Sequence, residues 1–320
     1  MKLGWFNAED WERQELENRD IKPIFHPEPL GPDCEDLQYD AVTVFASSRL
    51  TAEVLENIQP KAVFTRSTGF DHIDLDKAEE LGVKVYNVPE YGSYTVAEHA
   101  FALLLSLSRN ILEGSNKTKE SFENEGLTGF ELRAKKIGII GTGRIGCEMI
   151  KMCKSFGMDV IAYDPYEDRE LEKDLGFMYV SFEDLVSHSD IISLHCPLTD
   201  ENHHLFSDDE FKKMDETVFI NTARGELVNS QALLNALKQD HVSKAGLDVL
   251  ENENSLEEIE NLTDTEEFCC EETEANCELI ERRDVTVTPH NGFNTEEAKK
   301  RILDTTIENI IDRPEENRVV

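Results

Sequence analysis

A chain of 320 residues is long enough for two domains with substantial cores. Asp and Glu number 67 against 32 Lys and Arg, a formal net charge of −35. A surface of that sign repels nucleic acid and anionic membranes, which argues against both as partners. No N-terminal run resembles a signal peptide, no apolar run approaches membrane-span length, and the seven cysteines are not spaced as a secreted disulfide framework. A cytoplasmic protein is expected.

Short apolar runs at 3–6, 21–25, 41–45, 62–66 and 83–88 read as strands, with helices between them at 51–58 and 75–81. Strands alternating with helices imply a parallel sheet. An apolar helix is expected over 94–112. Its segment Phe101–Leu107 is apolar nearly all round, so it is expected to be buried between domains or subunits, and a homodimer follows as an expectation.

A second alternating set begins at Lys136, with strands expected at 136–140, 160–164, 177–180, 190–195, 216–221, 243–248 and 285–289. The first of these runs straight into Gly141-x-Gly143-x-x-Gly146 and an amphipathic helix. Gly141 permits the tight turn, Gly143 removes a side chain that would block a pyrophosphate, and Gly146 lets helix and strand approach. The helix N-terminus offers N–H groups to the anion. The next strand ends in Asp164, about twenty residues on, where a ribose 2′-OH would be held. An ordinary glycine turn beside an exposed Asp is the duller alternative. The strand, helix, second strand and Asp together weigh against it.

Further along, Ser181-x-x-Asp184 and Ser207-x-x-Glu210 open helices, and Asn294 is expected to cap a last helix running towards Ile311. Residues 251–282 read as an acidic insertion, a solvated helix-loop without a binding role. Cys269, Cys270 and Cys277 fall within it at a spacing that fits no common zinc pattern, so they read as plain thiols and no metal site is expected. Cys147, Cys153 and Cys196 read as buried thiols. The clear apolar periodicity argues against disorder. The charge excess then points to a halophilic cytoplasm, where salt screens the repulsion, with a merely acidic protein from an ordinary cell as the alternative.

Three groups follow expected strands, where open parallel sheets place ligands: Asn221–Gly225, Gly246–Val249 with Glu251 and Glu253 beyond, and Thr288–Gly292. They offer a guanidinium to grip a carboxylate, an imidazole to move a proton, and carboxylates to orient and charge it. Reduction of a 2-oxo acid needs those groups. Singly, Arg224 also reads as a surface ion pair, His290 as a loop histidine and Glu253 as part of the acidic insertion.

The chain resembles the D-isomer-specific 2-hydroxyacid dehydrogenase family over almost its whole length. The runs that carry the resemblance are Arg66-Ser-Thr-Gly-Phe-Asp-His-Ile-Asp74, Pro89-Glu-Tyr-Gly-Ser-Tyr-Thr-Val-Ala-Glu-His99, Gly129–Gly146, Leu194-His-Cys-Pro-Leu-Thr199, Phe219-Ile-Asn-Thr-Ala-Arg-Gly-Glu-Leu-Val228, Gly246-Leu-Asp-Val249 and Thr288-Pro-His-Asn-Gly-Phe293. The resemblance implies an α/β protein of two Rossmann-like or flavodoxin-like parallel-sheet domains, the nucleotide domain inserted into the substrate domain. Residues 1–95 with 294–320 would bind substrate, and 96–293 would bind NAD. It implies that Arg224 binds the substrate carboxylate, His290 is the acid/base and Glu253 its partner. Thr68 and Gly69 would offer backbone N–H groups to the carboxylate. Cofactor contacts would extend from Gly141, Gly143, Gly146 and Asp164 to Arg144, Ile145, Cys196, Pro197, Thr222, Ala223 and Asp248.

Within the family, Tyr91 and the run from His290 to Thr295 look most like the D-lactate dehydrogenase branch, with Tyr91 orienting the carboxylate and Phe45 near the substrate side chain. Phe45 stands where a Tyr is expected, and Asn254 follows Glu253 where a Pro is usual. The expectation is NAD-dependent reduction of a small 2-oxo acid, pyruvate foremost, to the D-2-hydroxy acid. A glyoxylate/hydroxypyruvate reductase or a short phosphoglycerate dehydrogenase is the alternative within the family. An end at Val320 leaves no room for the regulatory domain of the larger phosphoglycerate enzymes. An NAD-sensing, corepressor-like scaffold is the non-enzymatic alternative, and intact Arg224, Glu253 and His290 weigh against it.

Overall fold

The structure is a computed structural model and describes residues 1–17, 19, 21–32, 34, 37–257 and 271–320. The chain divides into two compact units, Met1–Tyr91 with Asn294–Val320, and Gly92–Phe293.

In the first unit, β-branched and apolar runs form β1 (Leu3–Trp5), β2 (Ile24–Phe25), β3 (Ala41–Val44), β4 (Ala62–Thr65) and β5 (Lys84–Tyr86). They pair in parallel in the order β2-β1-β3-β4-β5, the order of flavodoxin-like sheets. Strands covered on both faces read as continuous apolar runs, and β3 and β4 are buried at every residue. One face packs Val42, Val44, Val63 and Val85 against Val54, Leu55 and Ile58 of the helix Ala52–Ile58. The other face packs Leu3, Trp5, Phe64 and Tyr86 against Leu303, Ile307 and Ile310. Those last three lie on Glu296–Asp312, a helix from the far end of the chain. Its cap is Thr295, whose side chain accepts from Ala298 N, one residue later than the Asn294 expected from the sequence. Thr and Asn side chains can both cap in this geometry, so composition alone does not choose between neighbours.

The second unit holds β6 (Lys136–Ile140), β7 (Asp159–Tyr163), β8 (Met178–Tyr179), β9 (Ile191–Leu194), β10 (Thr217–Asn221), β11 (Val242–Leu247) and β12 (Val285–Val287). All pairings are parallel, in the order β12-β11-β10-β9-β6-β7-β8. The order reverses between β6 and β9, and open sheets bind ligands at such a switch point. Ser181 caps Phe182–His188, and Ser207 with Glu210 forms the expected capping box.

Two expectations change. The helix expected over 94–112 ends at Arg109, because Asn110 adopts a left-handed φ of 50°, and a second helix runs Ile111–Lys117. Phe101, Leu103, Leu104 and Leu107 are buried in their own unit, in one cluster with Met149, Ile150, Cys153 and Ile220. Most of the apolar run is therefore covered within the chain. The acidic stretch also differs from a solvated helix-loop. Its part Glu271–Glu281 is a helix that buries Thr273, Ala275, Asn276, Cys277 and Leu279. Ala275 and Leu279 join the main core of the unit, and burying Leu279 alone contributes about 1.5–3 kcal/mol. Residues 258–270, with Cys269 and Cys270, lie outside the described residues.

Cys34, Cys147, Cys153, Cys196 and Cys277 carry free thiols. Burial pushes Cys153 up to about 12 and Cys196 up to about 11, so both are inert thiols at neutral pH. Among the described residues no helix is long and apolar enough to cross a membrane.

Candidate functional site

Strand register gathers the candidate residues of the second unit along one sheet edge. Ile140 lies opposite Tyr163 and Leu194, Asn221 opposite Leu194 and Leu247, and Leu247 opposite Val287. The residues that follow these strand ends are Gly141, Asp164, Cys196-Pro197, Thr222–Arg224, Asp248 and Thr288–His290.

After β6 the backbone makes a close-fitting loop. Gly141 has φ +93°, and a Cβ there would meet backbone of His195 and Cys196 at 2.7 Å. A Cβ on Gly146 would meet the Gly141 carbonyl at 2.0 Å, so strand and helix approach only because that side chain is missing. A Cβ on Gly143 would meet nothing within 4 Å, which leaves open space in front of the helix Arg144–Ser155. The first-turn amides of a helix point beyond its end and draw anions, and this helix begins at Arg144. Asp164 Oδ2 accepts from Thr142 N at 2.8 Å and Thr142 Oγ1 at 3.1 Å, and Oδ1 accepts from Tyr166 N at 2.9 Å. The carboxylate is thus pinned beside the glycine loop. Thr222 Oγ1 is buried with no hydrogen-bond partner among the described residues. A buried hydroxyl left so is costly, and a polar ligand group beside it removes the cost.

Around β10–β12 the acid/base candidates meet. His290 Nδ1 lies 2.6 Å from Glu253 Oε1. Burial opposes the imidazolium, but the Glu253 hydrogen bond and charge, with Asp248 behind them, outweigh it and raise the His290 pKa. The Arg224 charge works in the opposite sense and is close enough to register. His290 sits at φ 46°, a strained position for a non-glycine residue. Its N–H bonds to Asp248 O at 2.8 Å and Thr288 O at 2.9 Å hold it there. Arg224 is half-buried on the turn after β10, with its carbonyl accepting from Asn221 Nδ2 at 2.8 Å and Nη1 donating to Ala223 O at 2.7 Å. Gly225 next to it packs directly on the turn that bears Glu253, since a Cβ there would lie 2.1 Å from Leu250 C and O and 2.5 Å from Glu251 N.

Asp248 is 2% exposed. Its Oδ1 accepts from Thr288 Oγ1 at 2.5 Å and Asn291 N at 2.7 Å, and its Oδ2 accepts from Gly292 N at 2.8 Å. His99 Nε2 lies 3.1 Å from the same carboxylate and 2.9 Å from Thr288 Oγ1. Burial opposes the charge, but these hydrogen bonds and His99 hold the Asp248 pKa below the ordinary value. Its described side-chain bonds go to the loop that carries His290 and to His99.

The other candidates are assembled within the first unit. Phe45 follows β3, and its ring lies under the Arg66 guanidinium at 5.6 Å. Arg66 is buried, pairs with Glu12 and donates to the Phe6 carbonyl. Thr68 and Gly69 follow β4, where Thr68 Oγ1 donates to Val88 O at 2.8 Å and the Gly69 carbonyl accepts from Ser67 Oγ at 2.6 Å. The Tyr91 carbonyl accepts from Arg301 Nε at 2.8 Å.

Residues 101–292 match the family model described as D-isomer specific 2-hydroxyacid dehydrogenase, NAD binding domain. A D-lactate dehydrogenase of Escherichia coli is 40% identical over 85% of this chain and 82% of its own length. The chain belongs to the D-isomer specific 2-hydroxyacid dehydrogenase family. A glyoxylate reductase of Thermococcus litoralis is 34% identical over 86% of this chain and 80% of its own. The structure of the D-lactate dehydrogenase of Aquifex aeolicus, complexed with NAD and lactic acid, superposes with a TM-score of 0.87 at 30% identity, covering 100% of this chain and 99% of that one. The second unit of this dehydrogenase is accordingly its NAD-binding domain. The open side at Gly143, the anion-attracting helix end and the orphaned Thr222 hydroxyl fit such a group.

Sequence reasoning did not single out Thr142, which latches Asp164, or His99, which braces Asp248. Thr142 occupies a variable position inside a glycine motif. His99 sits in a helix whose most visible property is its apolar run. Neither has a spacing signal of its own.

Proposed function

We propose that this dehydrogenase reduces a small 2-oxo acid, pyruvate foremost, to the D-2-hydroxy acid, with His290 as the proton donor. The observation that carries the reading is the 2.6 Å contact between His290 Nδ1 and Glu253 Oε1, with the imidazolium favoured over its ordinary state. NADH, when bound, supplies the hydride that adds to the carbonyl carbon of the substrate. Glu253 occupies Nδ1 and so fixes the tautomer, leaving Nε2 to carry the proton destined for the carbonyl oxygen. Arg224 offers a planar fork to the substrate carboxylate. Thr68 and Gly69 amides assist it, Tyr91 orients it, and Phe45 borders the substrate side chain. Asp248 and His99 act by positioning the loop of His290. Arg144, Ile145, Cys196, Pro197, Thr222 and Ala223 complete the cofactor contacts around the glycine loop.

The same proposal places the protein in a salt-rich cytoplasm, in keeping with its charge and its five described free thiols. It also makes the functional unit a homodimer. Ile111 and Leu112, each 52% exposed, and Phe122, 97% exposed, give apolar surface for a second copy to cover.

The test follows NADH absorbance with pyruvate, glyoxylate, hydroxypyruvate and phenylpyruvate at low and multimolar salt. His290→Ala is expected to lose roughly 10²–10⁴-fold in turnover. Near-normal turnover of that variant refutes the mechanism, and a glyoxylate preference refutes the substrate assignment alone.

A further inference from the structure

His203 and His204 follow the single turn Asp200–Asn202 and take no part in the proposed reduction. His204 has φ 53°, and this turn sets the two imidazoles side by side, with centroids 4.1 Å apart and planes inclined by 40°. Opposite them stands Glu251, 8% exposed. His204 Nε2 lies 2.5 Å from Glu251 Oε1. The second oxygen of Glu251 accepts from Ser230 N at 3.3 Å, and its carbonyl accepts from Asn276 Nδ2 at 2.6 Å. One donor atom from each of His203, His204 and Glu251 falls within 4.8 Å of the other two.

We propose that His203, His204 and Glu251 bind a divalent transition-metal ion of the zinc class. Two imidazoles and one carboxylate suit Zn²⁺, Co²⁺ or Ni²⁺, whereas Mg²⁺ and Ca²⁺ prefer oxygen-only shells. Ligand bonds of about 2.0–2.1 Å in a tetrahedron put the donor atoms roughly 3.3 Å apart. The donor atoms lie within 4.8 Å of one another, so closing on an ion asks for a shift of no more than about 1.5 Å, and His203 is exposed. Ser230 N and Asn276 already fix Glu251, as outer-shell bonds fix ligands in metal sites. A largely buried carboxylate is also costly unless a positive charge faces it. Among the described residues its ion-pair contact is with His204, which is charged only when protonated. A bound cation supplies that charge with the imidazole neutral. Three protein ligands leave a fourth position of a tetrahedral ion for water.

The ion ties the loop after β9 to the turn after β11. Glu251 stands two residues before Glu253 on that turn, so the ion stiffens the support of the His290 partner. The site itself is independent of the dehydrogenase reading, and metal binding is its readout.

The full chain is titrated with Co²⁺ and displaced with Zn²⁺, while bound metal, the visible spectrum and the melting temperature are recorded. One Co²⁺ per chain is expected, with the d–d bands of a low-coordinate nitrogen and oxygen site and no thiolate charge-transfer band. His203→Ala, at an exposed position, is expected to fold, to bind about 10–100-fold more weakly or worse, and to lose the Zn²⁺-induced rise in melting temperature. Substoichiometric binding, binding unchanged in His203→Ala, or a thiolate charge-transfer band marking cysteine ligation each overturns the proposal.

Discussion

Gly225→Ala tests whether the turn of Arg224 and the turn of Glu253 work as one piece. The added methyl would stand 2.1 Å from the Leu250 carbonyl carbon and oxygen, against about 3.4 Å for an ordinary contact. The shortfall of about 1.3 Å falls on backbone on both sides, so no side-chain rotation relieves it. The 225 and 250–251 segments must part by that distance, and Arg224 and Glu253 move with them. Misplacing catalytic groups by about 1 Å costs on the order of 10²-fold in rate. The expected outcome is therefore a kcat down by about 10²-fold with pyruvate and NADH. Overpacking of this kind also destabilises, by about 1–3 kcal/mol, so urea unfolding is measured alongside to show that the variant is folded under assay conditions. A folded Gly225→Ala with unchanged kcat and KM refutes the claim that contact between these two turns sets the catalytic geometry.

Burial pushes His195 down to about 3, so the folded protein holds it neutral while the unfolded chain protonates it near 6.5. The folded state then binds fewer protons, and its stability is present above pH 6.5 and lost as pH falls towards 3, at about 1.4 kcal/mol per pH unit. His195→Gln should therefore lose about 2 kcal/mol less than the wild type between pH 7 and pH 5 in urea titrations, and parallel pH slopes refute the assignment. NAD is expected to be preferred over NADP, because Asp164 repels a 2′-phosphate and the nearby Arg169 is already paired with Glu167 and Glu172. Equal kcat/KM with NADPH counts against this. At −35 the folded chain repels itself, and about 1 M salt shortens the Debye length to about 3 Å, so the melting temperature should rise into multimolar KCl. Light scattering on the same samples should give a dimer. A flat or falling melting curve removes the halophilic reading, and a stable active monomer removes the dimer.

The parallel sheets were legible because β3, β4, β6 and β9 are buried on both faces and leave unbroken apolar runs in the sequence. The glycine loop was legible because each glycine answers a separate steric demand. Residues 271–281 were not, since the helix buries Thr273 and Asn276 beside Ala275, Cys277 and Leu279, and the Glu residues between them dilute its apolar stripe. Expected strand ends already grouped His290 with Glu251 and Glu253, but the choice of Glu253 as its partner came through resemblance, because 37 residues separate the two and no local spacing joins them. The gathering of His203, His204 and Glu251 was invisible for the same reason, as it depends on which loops the register of β9, β10 and β11 brings to one edge.

The first unit is closed by the last part of the chain. Leu303, Ile307 and Ile310 cover one face of its sheet, and Val319 and Val320 exchange backbone hydrogen bonds with Val85. A ribosome makes β1–β5 first and then the whole of residues 92–293 before that cover emerges. At about 5–20 residues per second this delay is roughly 10–40 s. During that time the nascent sheet carries Leu3, Trp5, Phe64 and Tyr86 without their lid, while the later-made nucleotide unit already has every strand it needs by Val287. Premature termination near the 3′ end of the message therefore damages the domain translated first.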